Sequence, residues 1–170
     1  KNLSMDVLPG GVTAVSGFRN KASCRKQWGK FQMLKFYFNG SPNPTKVALF
    51  LEEAGIAYEP VAVDTRKGDQ FKPEYLAVNP NAKVPAIDDD GIQVFDSNAI
   101  LLYLAEKSGK FLPANTPANR GELLSWLMFV ATGVGPFSGQ AVHFKHFAPE
   151  KIDYAHNRYQ FEAQRHFGIL

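Results

Sequence analysis

The chain has 170 residues, 45% of them hydrophobic and 13% aromatic, which is typical of a folded protein with a core and excludes extensive disorder. No apolar run approaches the roughly 20 residues that a membrane-spanning helix needs, and a single cysteine excludes an intrachain disulfide. The formal net charge is +3 but is unevenly placed, because residues 1–32 hold six basic residues and one acidic residue.

Residues 1–32 are therefore predicted to be a basic extension outside the fold. A leader, a tag or an upstream translated sequence explains the composition, because no ordered pattern accompanies the charges. The alternative is a basic arm that contacts nucleic acid or an acidic membrane surface. Since the rest of the chain is slightly acidic, we predict no nucleic-acid partner and no membrane partner for the folded part.

Regular patterns begin near Met33. Residues 34–38 (LKFYF) are predicted to be an aromatic-rich strand, and a loop covers residues 39–44 (NGSPNP). A helix follows and ends at Gly55. Its apolar face, at helical spacing, comprises Val47, Phe50, Leu51 and Ala54.

Further strands and helices follow in quick succession. Residues 58–63 (YEPVAV) are predicted to be a strand, which Pro60 marks as an edge or bulged one. A short helical turn covers residues 73–77. Two short strands separated by the turn-rich sequence DDDG then predict a hairpin, at residues 84–88 and 92–95.

Asp96 and Ser97 begin another helix, which Gly109 ends. The element order is β-α-β-α-β-β-α, so the first two strands should be parallel with a right-handed crossover. This order predicts an α/β domain with a mixed four-stranded sheet over residues 33–112.

Strand patterns stop after residue 112, and residues 113–170 are predicted to be all-α. One helix runs from Arg120, and Pro136 closes or kinks it. Its apolar face comprises Leu123, Leu127, Val130 and Val134. A second long helix is predicted over about residues 149–166.

Several motifs occur in a characteristic order: SPNP, GDQF, NPNAKVPAI and FDSNAILLYLAEK. Together they resemble the N-terminal domain of cytosolic glutathione transferases. The later motifs GVGPFSGQAVHF and RYQFEAQR are similar to the nu class, whose bacterial members are glutathione-dependent disulfide-bond reductases. The resemblance covers residues 33–170.

The resemblance implies a thioredoxin-like N-terminal domain followed by an all-α domain. It also implies glutathione as cosubstrate, a homodimer and a cytoplasmic location. Such proteins usually have further helices beyond the two predicted here, so we expect the chain to be a fragment or a truncated member.

The same resemblance assigns the ends of a glutathione molecule to residues. It implies that the Val84–Pro85 bond is cis and that the backbone of Val84 pairs with the cysteinyl residue; the alternative is an ordinary trans proline at a strand start. Asp96 is expected to hold the γ-glutamyl ammonium, and Ser97 with the helix amides its carboxylate. The alternative is that these two residues simply cap the helix.

The glycyl end of glutathione is expected to contact Gln70 and Lys83. The alternative is that these are a solvated loop glutamine and a surface lysine. Arg158 matches a family arginine near the cleft that can add positive potential; the alternative is a surface arginine on a helix. The thiol is expected beside Ser41 and Asn43, both of which offer hydrogen-bond donors to a thiolate. Asn43 is alternatively the N-cap of a helix beginning at Pro44.

No metal is predicted, because the two histidines three residues apart in residues 143–146 lack cysteine or carboxylate neighbours at ligand spacing. The leading hypothesis is a glutathione transferase or glutathione-dependent disulfide oxidoreductase that acts on a small electrophile or disulfide. The alternative is a glutathione-binding regulatory or stress-related protein with little catalysis. A thioredoxin-like redox protein is disfavoured, because the chain has no C-x-x-C.

Overall fold

A computed structural model describes residues 33–170, and its N-terminal part is a four-stranded mixed sheet with helices. In chain order the elements are β1 (Leu34–Phe38), α1 (Pro42–Ala54), β2 (Tyr58–Ala62), a 3₁₀ turn (Asp69–Phe71), α2 (Pro73–Leu76), β3 (Ala86–Asp89), β4 (Ile92–Phe95) and α3 (Ser97–Ser108). The strand order is β2-β1-β3-β4, with β1 parallel to β2 and antiparallel to β3. This confirms the predicted thioredoxin-like topology, while the predicted extension over residues 1–32 lies outside the described residues.

β2 is an edge strand, as its proline predicts. The backbone N–H of Val63, directly after β2, donates to the carbonyl of Phe38 at 2.9 Å. Because backbone groups alternate in direction along a strand, Pro60 faces away from β1. Its missing N–H therefore falls on the open side of the sheet and costs no ladder hydrogen bond.

The core of this part lies between the sheet and helices α1 and α3. Fully buried aliphatic side chains from both helices pack on the sheet: Val47, Leu51, Ile100 and Leu104. Phe36 and Ile87 meet them from β1 and β3. Gly55 ends α1 with φ 64°, a left-handed conformation that favours glycine.

The start of α1 differs from the prediction. The helix begins at Pro42, so Ser41 occupies the N-cap position and Asn43 lies in the first turn. The prediction of Asn43 as N-cap before a helix starting at Pro44 is therefore wrong. The physical reason is that Pro42 suits the first helical position as well as Pro44 does, since amides of the first turn need no helical acceptor.

The C-terminal part is helical, with one more helix than predicted. It comprises α4 (Pro117–Phe129), a π-helical segment (Val130–Val134), α5 (Gly135–His146) and α6 (Asp153–Phe167). The hydroxyl oxygen of Thr116 caps α4 by accepting from the backbone N–H of Asn119 at 3.2 Å.

The prediction that Pro136 closes the helix is wrong, because the chain stays helical on both sides of it. The N–H of Gly135 donates to the carbonyl of Val130, five residues earlier, and Pro136 then falls in the first turn of α5. The proline's missing N–H thus lies where the hydrogen-bonding pattern changes. The predicted second helix begins at Asp153, four residues later than expected.

His166 on α6 anchors the π segment. Its imidazole lies between the rings of Phe129 and Phe137, with centroids 5.2 and 5.0 Å away. A Cβ on Gly133 would lie 2.4 Å from that imidazole, so only glycine fits there. No helix in residues 33–170 is both long and apolar enough to cross a membrane.

Candidate functional site

The loop before α1 holds Ser41 in a local hydrogen-bonded turn. The side-chain oxygen Oδ1 of Asn39 accepts from the backbone N–H of Ser41 at 3.0 Å and from its hydroxyl at 2.6 Å. Asn39 is itself fixed by a bond from Nδ2 to the hydroxyl of Thr65 at 3.1 Å. The single hydroxyl hydrogen of Ser41 is therefore already donated within the loop.

Asn43 is the other residue predicted to face the thiol. It is exposed in the first turn of α1, between Pro42 and Pro44, which have no N–H. Of these three residues, only Asn43 can offer a backbone N–H to a ligand. Its side-chain amide adds two more donors at the positive end of the helix dipole.

The Val84–Pro85 bond is cis, as the resemblance implied. The carbonyl of Lys83, one residue earlier, accepts from the hydroxyl of Tyr75 and from the side-chain amide of Asn79, each at 2.6 Å. Both donors are buried, and burial raises the pKa of Tyr75 to about 12. Pairing between β1 and β3 starts at Ala86, which leaves Val84 outside the ladder and next to a cavity.

Asp96 is the N-cap of α3, a role that is compatible with ligand binding. Its Oδ1 accepts from the backbone N–H groups of Asn98 at 2.8 Å and Ala99 at 3.3 Å. Asp96 has φ 70°, which is uncommon for a residue other than glycine. Ser97 follows as the buried first residue of the helix. Capping uses Oδ1, so Oδ2 remains for a ligand.

Lys46 also contacts the first turn of α3, although nothing in the sequence indicated this contact. From α1 its Nζ donates to Oδ1 of Asn98 on α3 at 2.8 Å. Burial lowers the pKa of Lys46, and the negative charge of Asp96 partly opposes that effect. Its partner is 52 residues away in sequence, so no local pattern could have revealed the contact.

Two adjoining cavities bring most of the predicted residues together. The small cavity, of about 160 Å³, is lined by Asn43, Asn79, Asn81, Lys83, Val84, Pro85, Asp96 and Ser97. The large cavity, of about 730 Å³, shares three of these residues: Asn43, Asp96 and Ser97. It adds Ser41 and Lys46 from the α1 end, and Val134, Pro136 and His143 from the helical part.

Two predicted residues do not line either cavity. Gln70 donates from Nε2 to the carbonyl of Thr65 at 3.3 Å. Arg158 donates to Oε1 of Glu162, one turn along α6, at 2.6 Å. Within residues 33–170, no group of three or more His, Cys, Asp or Glu side chains could hold a metal ion.

Comparison with known proteins gives consistent results. The glutathione S-transferase N-terminal domain profile matches residues 32–106. The disulfide-bond oxidoreductase YfcG of Escherichia coli is 48% identical over 145 residues, which cover 81% of this chain and 67% of YfcG.

Two solved structures are similar to this one. A glutathione transferase from Pseudomonas putida, with one glutathione disulfide bound per subunit, is 40% identical with a TM-score of 0.76. That match covers 81% of this chain and 63% of the other. Ure2p in complex with glutathione is 34% identical with a TM-score of 0.78, covering 84% and 68%. The chain thus spans about two thirds of the length of these proteins, and it belongs to the glutathione transferase family.

Proposed function

We propose that this protein binds glutathione in the small cavity and uses its thiol on a second substrate in the large cavity. The observation that carries the proposal is the junction of the two cavities at Asn43, Asp96 and Ser97. A ligand that binds in the small cavity would reach the large one through this junction. The second substrate is proposed to be a small electrophile or a disulfide.

The binding roles follow the chemistry of the tripeptide. Asp96 is proposed to hold the γ-glutamyl ammonium through Oδ2, and Ser97 its carboxylate through the hydroxyl and the backbone N–H, since the next α3 amides donate to Asp96 itself. Val84 would pair with the cysteinyl backbone, as a strand does. Lys83, which is exposed beside the small cavity, would neutralise the glycyl carboxylate.

The proposed roles of Gln70 and Arg158 require their side chains to move. The Gln70 amide would have to leave the carbonyl of Thr65, and the Arg158 guanidinium would have to turn from Glu162. Arg158 is a half-exposed side chain, so such a turn costs little burial. It would then add positive potential beside the thiolate.

Asn43 is proposed to be the main donor to the glutathione thiolate. It can present its backbone N–H and its side-chain amide together at the start of α1. Ser41, by contrast, must first break its bond to Asn39 before its hydroxyl can donate. A free thiol has a pKa of about 8.5, and amide donors at a helix N-terminus favour the charged form.

The reaction that fits moderate thiolate activation is disulfide reduction. The glutathione thiolate attacks one sulfur of the substrate disulfide, and the other sulfur leaves as a thiolate. A second glutathione thiolate then attacks the mixed disulfide, which gives oxidised glutathione and a second product thiol. Both electrons come from glutathione, so no protein cysteine is needed.

The second candidate function is glutathione binding with little catalysis, as in a regulatory or stress-related protein. The observation that favours it is the engaged hydroxyl of Ser41, because a dedicated free hydroxyl is then absent from the described thiol end. Turnover separates the two candidates, since both predict binding.

Two assays on one preparation test the proposal. We expect measurable reduction of a small mixed disulfide by glutathione and only weak conjugation of an aryl halide. Asn43→Ala should lower the reduction rate more than Ser41→Ala does. Strong conjugation without disulfide reduction would overturn the proposed chemistry, and no turnover of either substrate would favour the binding protein.

A homodimer and a cytoplasmic location complete the proposal. Both are expected of the family and are supported here only by membership. Sedimentation of the purified chain tests the first, since a dimer would have twice the monomer mass.

A further inference from the structure

Lys46 on α1 and Asp96 at the start of α3 carry opposite charges. Both residues line the large cavity, and Asp96 lines the small one as well. Lys46 spends one of its three N–H donors on Asn98, which leaves two for a ligand. Among the described residues that line the large cavity, Lys46 is the one lysine or arginine.

The pairing matches a particular chemical group. An α-amino acid end carries an ammonium and a carboxylate on the same carbon, so a site that reads both needs an anion and a cation close together. Asp96 supplies the anion, and its Oδ2 is not used in capping α3. The hydroxyl and the backbone N–H of Ser97 are neutral donors, which hold an oxygen without requiring that it be charged.

We propose that Lys46 joins Ser97 in binding the α-carboxylate of the γ-glutamyl group, while Asp96 binds the ammonium on the same carbon. This inference rests on the proposed function and deepens it. It makes the site selective for an intact α-amino acid end, so a peptide thiol lacking that carboxylate is bound less well.

The competing explanation is purely structural. In that case Lys46 only ties α1 to α3 through Asn98, and its loss would loosen the site for every ligand alike. A ligand that lacks only the α-carboxylate separates the two explanations. If Lys46 contacts that carboxylate, substituting Lys46 removes a contact with glutathione but none with the analogue.

The experiment is a calorimetric titration of the full chain with two ligands. One is glutathione, and the other is 4-aminobutyryl-cysteinyl-glycine, which keeps the amine and thiol but lacks the α-carboxylate. We expect Lys46→Met to weaken glutathione binding by about tenfold, the effect of losing one charge-assisted hydrogen bond. Affinity for the analogue should change less than about twofold, because the analogue has no α-carboxylate for Lys46 to bind.

Three further variants complete the design. Lys46→Arg keeps the charge and should restore most of the affinity for glutathione. Lys46→Gln keeps a donor toward Asn98 without the charge, and it should behave like Lys46→Met even if the methionine variant folds poorly. Lys151→Met changes the net charge equally at an exposed site paired with Asp153, and should bind both ligands normally.

Equal weakening of both ligands by Lys46→Met and Lys46→Gln would overturn the proposal in favour of the structural tie. Unchanged glutathione affinity in both variants would overturn it outright. Absence of glutathione binding by the unsubstituted chain would instead overturn the proposed function on which the inference rests.

Discussion

The thioredoxin-like region, residues 33–112, and the helical region, residues 113–170, bury their apolar side chains very differently. In the first region Val47, Leu51 and Ile100 are fully buried. In the second, Ala163 is the one buried hydrophobic residue among those described, and the predicted α4 face is half-buried. The stability of the described chain should therefore be concentrated in the thioredoxin-like region.

The two regions also contribute differently to the cavities. The thioredoxin-like region supplies all the residues of the small cavity. The helical region enters only the large one, through side chains such as Val134 and His143. Ligand affinity and second-substrate choice are thus expected to depend on different parts of the chain.

The largest expected effect is on the aliphatic core. Leu51→Ala should lower the free energy of unfolding by about 3 kcal/mol, because it removes a fully buried side chain and leaves a cavity. Leu127→Ala, at a half-buried position of α4, is the matched variant and should cost about 1 kcal/mol. Urea denaturation measures both free energies, and equal losses would show that the two regions contribute equally to stability.

The next effect tests the close packing of Gly133 against His166. Gly133→Ala should lower the free energy of unfolding by about 2 kcal/mol, because the new Cβ would meet the buried imidazole of His166. Gly121→Ala, in α4 with open space around it, should be neutral or stabilise by up to about 1 kcal/mol. If thermal unfolding shows the same change for both glycines, the packing around His166 is not the constraint described.

A smaller effect concerns glutathione affinity. Asp96→Ala should weaken binding more than tenfold, about 1.4 kcal/mol, because the ligand ammonium loses its carboxylate partner. His143→Ala, on the exposed wall of the large cavity, should leave glutathione affinity unchanged and alter the KM for the second substrate. Calorimetry and steady-state kinetics measure the two quantities, and unchanged affinity in the Asp96 variant would contradict the assignment.

The smallest effect is the acid dependence of stability. Asp89 is buried and accepts hydrogen bonds from the hydroxyl of Tyr103 at 2.6 Å and from Lys107. Burial raises the pKa of the Asp89 carboxyl, but these two donors outweigh it, so the pKa lies below its ordinary value. The stabilisation is therefore complete above the unfolded pKa of about 3.9 and is lost as pH falls through the lower folded pKa.

Asp89→Asn should flatten that acid dependence, because the asparagine amide does not take up a proton in this pH range. The control is Asp90→Asn in the exposed turn, where asparagine tolerates the φ of 56°. This variant should keep the acid dependence of the unsubstituted chain. The free energy of unfolding measured from pH 6 to pH 2 decides the matter. Parallel curves for the unsubstituted chain and the Asp89 variant would show that the carboxylate is not selectively stabilised.

Much of the fold was predictable because its signals are local. The strand of residues 34–38, the end of α1 at Gly55 and the capping by Asp96 each depend on neighbours in sequence. The cis bond at Val84–Pro85 was predictable from family resemblance, since no local pattern demands it.

The missed features depend on distant or competing contacts. Lys46 is held by a hydrogen bond to Asn98, which is far along the chain. The chain stays helical past Pro136 because the hydrogen-bonding pattern changes there, at the end of a π-helical segment. The bond between Ser41 and Asn39 was local and could have been predicted, because asparagine often accepts from a residue two positions later.

A calorimetric titration of the full chain with glutathione is the direct test of whether the thioredoxin-like region forms a glutathione site. We expect saturable binding that weakens in the Asp96→Ala variant and persists in the His143→Ala variant. Absence of binding at millimolar glutathione, with the chain shown to be folded, would contradict it.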